Sequence, residues 1–200
     1  MKKKILLFIL IIVFVYAIGG FIYLKMNKNE PEAVVISDVD KIKGYDYTLK
    51  SNASELYKTE FKILKDNLEK DKNDEEYAMS IAKLFIIDLY SLSNKVNKYE
   101  VGGVEFLHPD YVANYKLNVQ NTLYKYMEDN SYGNRNQNLP LVSTIKLSSH
   151  EKTTFKIKDT SYEGYKVELE WEYTEDLGYE SKGEVIVIKN DNKYFVVEKN

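Results

Sequence analysis

The first hydrophobic feature of the chain is an uninterrupted apolar run over residues 5–24, ILLFILIIVFVYAIGGFIYL, which contains no charged side chain. At the rise of an α-helix, these twenty residues extend roughly 30 Å, the thickness of one bilayer hydrocarbon core. The run therefore predicts a transmembrane helix, with residues 1–4 as a cytoplasmic tail. Residues 25–44, polar at first and holding Pro31, are expected to be a juxtamembrane linker before a folded domain at 45–200.

Lysines flank the apolar run on both sides, three before it (Lys2, Lys3 and Lys4) and two soon after it. This small excess favours a cytoplasmic N-terminus, so the protein is expected to be single-pass in the cell membrane with an extracytoplasmic domain. A signal peptide cleaved near Ala17-Ile18-Gly19 is the alternative. Against cleavage, the run continues past this point to a length that spans the membrane.

Helical periodicity then appears three times. Tyr57, Phe61, Leu64 and Leu68 form one stripe after Ser54, a candidate N-cap. Asp74 is expected to cap a second helix, which is apolar over most of its circumference and hence buried. Pro109 suits the first turn of a third helix. Its predicted inward stripe consists of Val112, Tyr115, Val119, Leu123 and Tyr126.

The period changes to two after a polar loop at residues 130–138. About five antiparallel strands are predicted, at residues 141–147, 153–157, 165–173, 184–188 and 194–197, and a short one lies earlier, at 45–49. The clearest is 165–173, where apolar residues alternate strictly with Lys and Glu. Helices followed by strands indicate an α+β fold, with three helices packed on a curved, cone-like antiparallel sheet.

Charge and cysteine content narrow the function. Residues 1–28 hold five lysines and no acid, so the remainder carries 23 basic and 31 acidic residues, a net charge of −8. Such a domain is a poor match for nucleic acid, which requires clustered cations. The chain has no cysteine, which excludes disulfides, thiol catalysis and cysteine-ligated zinc. The composition, rich in Lys, Asn, Ile and Tyr, favours a bacterial source with an AT-rich genome.

Three polar residues are candidate ligand or interface residues: Asp88, His108 and Arg135. Asp88 interrupts the apolar second helix, as a buried acid–base or ligand group or as a structural carboxylate. Asp88, Glu105 and His108 would form a site if the second helix and residues 101–108 lined one cavity. Arg135, the only arginine, is an ion-pair anchor, an interface residue or a surface loop charge.

No known catalytic pattern is present in the chain. GxGxxG, Walker, GxSxG and S-x-x-K motifs are all missing, and the two histidines, His108 and His150, lack a second metal ligand at useful spacing. Neither a metal nor a cofactor is therefore expected. The acids at 168–176 are interpreted as a solvated face, since alternate outward residues of a strand lie about 7 Å apart.

The order of elements resembles the nuclear transport factor 2-like fold, a cone of helices wrapped by a bent antiparallel sheet. An N-terminal span before such a domain is similar to the inner-membrane scaffold subunits of bacterial conjugation and type IV secretion machines. The blocks AKLFIIDLYSLSNK, VGGVEFL and NQNLPLVS are similar to small membrane-anchored bacterial proteins. This resemblance implies a scaffold and carries over no catalytic residue.

The expected function is therefore a non-enzymatic, membrane-anchored scaffold or interaction module of the bacterial cell envelope. Its expected partners are the membrane, other envelope proteins and further copies of itself. The alternative is an extracytoplasmic domain that binds a small ligand or a glycan. The eighteen tyrosines fit a glycan-stacking surface, or else half-buried strand positions in a Tyr-rich composition.

Overall fold

The computed structural model describes residues 32–70 and 72–200, in which Val34–Asn200 form one compact unit. This unit is α+β with three α-helices and an antiparallel sheet, as the sequence pattern predicts, and the main sheet has four strands. The predicted span at residues 5–24 and the cytoplasmic tail lie outside the described residues. Within the described part, none of the helices is both long enough and apolar enough to cross a bilayer.

The unit begins with a small hairpin made of β1 (Asp38–Lys41) and β2 (Thr48–Lys50), which pair antiparallel. Ile42 and Tyr47, in the connection between the two strands, are buried in the core. The sequence pattern predicts a folded domain from residue 45. The folded region starts earlier and includes part of the predicted linker. Four residues of strand are too few to show a period, which explains why β1 is not visible in the sequence.

Helix α1 spans Glu55–Glu69, and helix α2 spans Asp74–Tyr90. The predicted cap of α1 is confirmed, since the Ser54 hydroxyl accepts a hydrogen bond from the Tyr57 amide. The cap of α2 is Asn73 instead of the predicted Asp74: its side-chain oxygen accepts from the amides of Glu75 and Glu76. An Asn cap with acids in the first turn satisfies both the free N–H groups and the helix dipole.

Helix α2 is the centre of the fold. It is buried on nearly every side, contacts α1 and packs against all four strands of the main sheet. The near-continuous apolar sequence of this helix predicts such burial, because a helix apolar all round has no face to present to water.

A chain of short turns follows α2, with 3-10 helices at Leu92–Asn94, Val104–Phe106 and Pro109–Tyr111. Pro109 therefore opens a 3-10 turn that leads directly into α3 (Val112–Asn121). The predicted inward stripe is correct for Val119, which is buried, and wrong for Tyr126, which is 77% exposed. The helix ends at Asn121, so Tyr126 no longer shares its face.

The main sheet is a meander in the order β3-β4-β5-β6. Its strands are β3 (Val142–Ile157), β4 (Thr160–Tyr173), β5 (Lys182–Asn190) and β6 (Lys193–Lys199). The two strands predicted at 141–147 and 153–157 are one strand, so the sheet has four strands instead of five. Between the two predicted pieces, residues 148–152 (SSHEK) are all polar and exposed, so the sequence shows no alternation there. Register shifts near Val142 and Leu147 add irregularity to the pairing with β4.

Strand β4 matches its predicted pattern. Val167, Leu169 and Trp171 are buried, and the glutamates between and beside them, Glu168, Glu170 and Glu172, are exposed. On the same outer face, Lys166 forms an ion pair with Glu184 of β5. These charges keep the outer face of the sheet in water while the inner face packs on α2.

Candidate functional site

A cavity of about 210 Å³ lies at the C-terminal end of α2. Its walls come from β2, the start of α1, the last turns of α2 and the loop that follows α2. The cavity is smaller than the roughly 300–1,000 Å³ of sites for drug-sized ligands, so its size suits a small molecule. Its polar lining includes Asn52, Asp88, Asn94, Lys95, Glu100 and Glu105.

Asp88, foreseen from the sequence, lines this cavity near the end of α2. One carboxylate oxygen forms an ion pair with Lys95, and the other accepts a hydrogen bond of 2.6 Å from the Gly103 amide. Lys95 is only 6% exposed, and a charge so buried is tolerated when it is paired and hydrogen-bonded. Asp88 therefore holds a structural ion pair in the wall of the cavity.

The glycine pair Gly102-Gly103 brings the loop against α2. A Cβ at Gly102 would overlap the backbone carbonyl of Asp88, and Gly103 has a φ of +77°. Both positions therefore require glycine, for close approach at the first and for a left-handed backbone at the second. Tyr115 fastens the contact by donating to the Gly102 carbonyl at 2.9 Å.

Glu105 lies across the cavity with its carboxylate held by two donors. The Tyr57 hydroxyl donates to one oxygen at 2.7 Å, and the Thr48 amide donates to the other at 3.0 Å. Burial raises the pKa of the Glu105 carboxyl to about 6; the nearby Asp88 charge also raises it, while the two donors and Lys50 lower it. No ion-paired cation accompanies Glu105 within residues 32–70 and 72–200. It is thus a largely desolvated carboxylate facing a cavity.

Asn52 ties the loop after α2 to the turn before α1. Its side-chain amide donates to the Asn94 carbonyl and to Glu100, both at 2.8 Å. The other oxygen of Glu100 accepts from the Val96 amide at 2.7 Å. The side-chain oxygen of Asn94 is buried and has no hydrogen-bond partner among the described residues. One acceptor in the cavity wall is therefore left unsatisfied.

The other two sequence candidates do not line the cavity. His108 is buried between aromatic rings, with ring centroids of Tyr111, Tyr162 and Phe195 at 5.7–6.2 Å, and it caps the turn at Pro109–Tyr111. The structure thus brings together two members of the hypothetical Asp88–Glu105–His108 site and leaves His108 in a structural position.

Arg135 acts behind the cavity as a brace for its wall. Its guanidinium donates to the carbonyls of Ser93 at 2.6 Å and Lys95 at 3.0 Å, and to that of Glu128 at 3.3 Å. Burial lowers the pKa of this side chain. The Ser93 and Lys95 carbonyls flank Asn94, so Arg135 fixes the segment that carries the unsatisfied oxygen.

Sequence reasoning missed Asn52, Asn94, Lys95 and Glu100, which lie in irregular segments without periodicity. The only sequence signal for Asn94, Lys95 and Glu100 is the density of polar residues just after a strongly apolar helix, and Asn52 lies in an ordinary polar turn before α1. Among residues 32–70 and 72–200, no cluster of three or more His, Asp or Glu side chains is arranged to hold a metal ion.

The tyrosines are divided mainly between the core and half-buried positions. Among the tyrosines of residues 32–70 and 72–200, six are buried, Tyr47, Tyr57, Tyr77, Tyr90, Tyr124 and Tyr194, and three are strongly exposed, Tyr99, Tyr126 and Tyr132. The buried hydroxyls make specific hydrogen bonds, such as that of 2.7 Å between Tyr47 and Tyr77. Much of the tyrosine content therefore serves the interior.

Chemically, the cavity combines carboxylates, amide groups and one buried ammonium group on a preformed wall. Such a set can bind a small polar molecule by hydrogen bonds and charge. No protein-family profile, curated protein or solved structure matches this chain.

Proposed function

We propose that the protein is a membrane-anchored binding module of the bacterial envelope, whose folded region holds a small polar ligand in the cavity beside Asp88 and Glu105. The observation that carries this proposal is the desolvated Glu105 carboxylate, which faces a cavity without an ion-paired cation in the described part of the chain. Burying a charge without a partner costs free energy. Such groups are concentrated at functional sites, and concave pockets with a few converging polar groups are typical binding sites.

The cavity wall is built to keep its shape. The Asp88–Lys95 pair joins the last turns of α2 to the segment that follows it, and the Asn52 bridge and the Arg135 brace each connect segments about 40 residues apart. Preorganised groups lose little conformational freedom when a ligand binds, so more of the interaction energy appears as affinity. This rigidity supports binding as the role of the cavity.

A ligand screen tests the proposal on the full-length protein in detergent. Ligand-observed NMR with mixtures of small amino acids, amines, sugars and carboxylic acids is expected to reveal at least one binder. Ala53 lines the cavity, so Ala53→Leu should fill part of it and abolish that binding.

Ala113→Leu, the same change on the exposed face of α3, is the matched control and should leave binding intact. A screen without any binder, or binding that survives Ala53→Leu in a folded protein, would contradict a ligand-binding cavity.

The membrane placement is part of the same proposal. Residues 5–24 would anchor the chain with its N-terminus in the cytoplasm, as their length and flanking lysines suggest. In intact spheroplasts, added protease should then degrade the folded domain and spare an N-terminal tag. Protection of the domain, or its release into the medium, would contradict this topology.

A scaffold of a secretion- or conjugation-type assembly is the second candidate. It is favoured because the chain combines a predicted single transmembrane span with one compact folded unit, Val34–Asn200. Crosslinking in native membranes should then capture envelope proteins or further copies of the chain. Recovery of the protein alone would count against a scaffold and would leave the ligand-binding proposal untouched.

We also infer that the helices and sheet form the cone of a nuclear transport factor 2-like fold. The packing of α2 against all four strands supports this relation. An experimentally determined structure tests it: a sheet that bends around α2 would agree, and a flat sheet would not.

A further inference from the structure

Acceptors outnumber cations in the cavity. Three carboxylates line it, Asp88, Glu100 and Glu105, and only Asp88 has an ion-paired cation within the described ranges. Glu100 and Glu105 are instead held by neutral donors, an amide and a backbone N–H for the first, a hydroxyl and a backbone N–H for the second. These donors orient the two carboxylates, while Lys50 and Arg135 act on Glu105 and Glu100 only at longer range, without forming ion pairs with them.

The side-chain oxygen of Asn94 is one of three buried polar atoms without a hydrogen-bond partner in the described part of the chain, with those of Asn67 and Thr144. It has almost no surface that a water molecule could touch, so a molecule in the cavity would not reach it unless the Asn94 side chain moved. The carboxylates in the lining therefore determine what the cavity attracts, and they call for donors and positive charge.

We propose that the cavity selects small ligands that carry a primary ammonium group, received by Glu105 and Glu100; this inference rests on the proposed ligand-binding function. A primary ammonium offers three N–H donors and one positive charge, which matches two carboxylates that have no ion-paired cation among the described residues. Lys50 also lines the cavity, on β2. Its cation suits a ligand that has a carboxylate or another acceptor as well, as an amino acid does.

Binding should also depend on the ionisation of Glu105. The groups that face this carboxyl are Tyr57 from α1, Thr48 and Lys50 from β2, and Asp88 from α2. Because the Glu105 carboxyl has a pKa of about 6, it is largely ionised above that pH and largely protonated below it. Affinity for an ammonium ligand should therefore fall as the pH drops below 6.

Pairs of probes that differ only in the ammonium group test the inference on the full-length protein. Glucosamine is compared with glucose, and 4-aminobutan-1-ol with 1,4-butanediol, by ligand-observed NMR at millimolar concentration. Each ammonium member should bind at least about tenfold more tightly than its neutral twin, the size expected for a charged hydrogen bond.

Neutral twins that bind as tightly, or two ammonium probes that do not bind, would overturn the ammonium preference. The ligand-binding proposal would then still be judged by its broader screen and by Ala53→Leu, so the two failures are distinguishable.

Glu105→Gln removes the charge and keeps the shape of the side chain. It should lower the affinity for the ammonium probes by about tenfold or more. It should also remove their pH dependence near 6 and leave the neutral twins unchanged. Glu151→Gln, on the exposed surface of β3, is the control and should change neither probe. Equal losses for ammonium and neutral probes in folded Glu105→Gln would contradict the assignment, because they would indicate a general disturbance of the cavity.

Discussion

The two ends of helix α2 are surrounded by different kinds of side chain. At its N-terminal end, Tyr77 meets the rings of Tyr45, Tyr47 and Tyr194 at centroid distances of 5.1–6.3 Å. The hydroxyls of Tyr47 and Tyr77 bond to each other, and Asp74 at the helix start forms an ion pair with Lys189. Aromatic rings fill much of this region. Asn67, beside the helix start, has a buried side-chain oxygen without a partner in the described chain, and an open cleft of about 620 Å³ lies beside Asp74, Lys189 and Tyr194.

At its C-terminal end, the helix faces shorter polar side chains on loops that approach closely. Here carboxylates, amides and one buried lysine surround a cavity, and one buried oxygen is left without a partner in the described chain. One apolar helix is therefore packed mainly by aromatic rings at one end and faces polar loop side chains around a cavity at the other. Sites that retain unsatisfied groups depend on stability supplied elsewhere in the fold.

The largest effect should come from breaking the ion pair at the cavity end. Asp88→Ala leaves Lys95 buried without its partner, which is expected to cost about 3–5 kcal/mol of unfolding free energy. Denaturation by urea measures the loss. The double variant Asp88→Ala with Lys95→Met should recover much of it, because the unpaired charge is gone.

Asp66→Ala is the matched control, since Asp66 forms ion pairs with Lys62 and Lys70 on the solvent side of α1. It should change stability little. If Asp88→Ala cost no more than Asp66→Ala, the pair would not support the cavity wall.

Glu105→Gln should have a smaller effect on the unfolding free energy, and it should raise it. The folded pKa of Glu105, about 6, lies above the ordinary 4.5, so the folded state holds its proton more tightly than the unfolded chain does. Its contribution to stability is therefore present below pH 4.5 and is lost as the pH rises through 6. Glu105→Gln should raise the unfolding free energy above pH 6 by about 2 kcal/mol, since each pKa unit corresponds to about 1.4 kcal/mol.

Urea denaturation across this pH window measures the difference, and Glu151→Gln should follow the wild-type curve. If Glu105→Gln stabilised the protein and also abolished ligand binding, the Glu105 carboxylate would be shown to lower stability while it serves binding. A destabilised Glu105→Gln would instead make Glu105 a structural carboxylate.

The smallest effect is expected at the aromatic end. Tyr77→Phe removes the hydroxyl bond to Tyr47 and should cost about 1 kcal/mol, because the Tyr47 hydroxyl also lies 3.3 Å from the Tyr194 carbonyl. Thermal denaturation measures the change. Tyr132→Phe, on an exposed residue, should be neutral. A loss at Tyr77 far above that at Asp88 would reverse the comparison of the two ends.

Regular periodicity carries the parts of this fold that the sequence predicts well. Helix α2 and strand β4 are recognisable because a helix buried all round and a half-buried strand leave opposite patterns. Strand β1 is too short to show a period, whereas the pattern at 45–49 predicts a short strand that overlaps β2. In β3, the exposed polar stretch at residues 148–152 divides one strand into two apparent ones.

The candidate site is predictable only where a residue breaks a pattern. Asp88 stands out because it is a charge within an apolar helix. Asn94 and Glu100 do not, since polar residues in a loop are ordinary and only tertiary packing brings them to Asp88. His108 is a candidate site residue because the chain has only two histidines, but its ring packs against aromatic rings and caps a 3-10 turn.

The Arg135 brace has a consequence for how the domain opens. One guanidinium joins three carbonyls in two segments, and the Asn130 amide adds a bond of 2.7 Å to the Val96 carbonyl. The loop at residues 128–135 and the segment at 93–96 therefore form one cooperative unit of local unfolding. Release of the loop is therefore expected to release this part of the cavity wall as well.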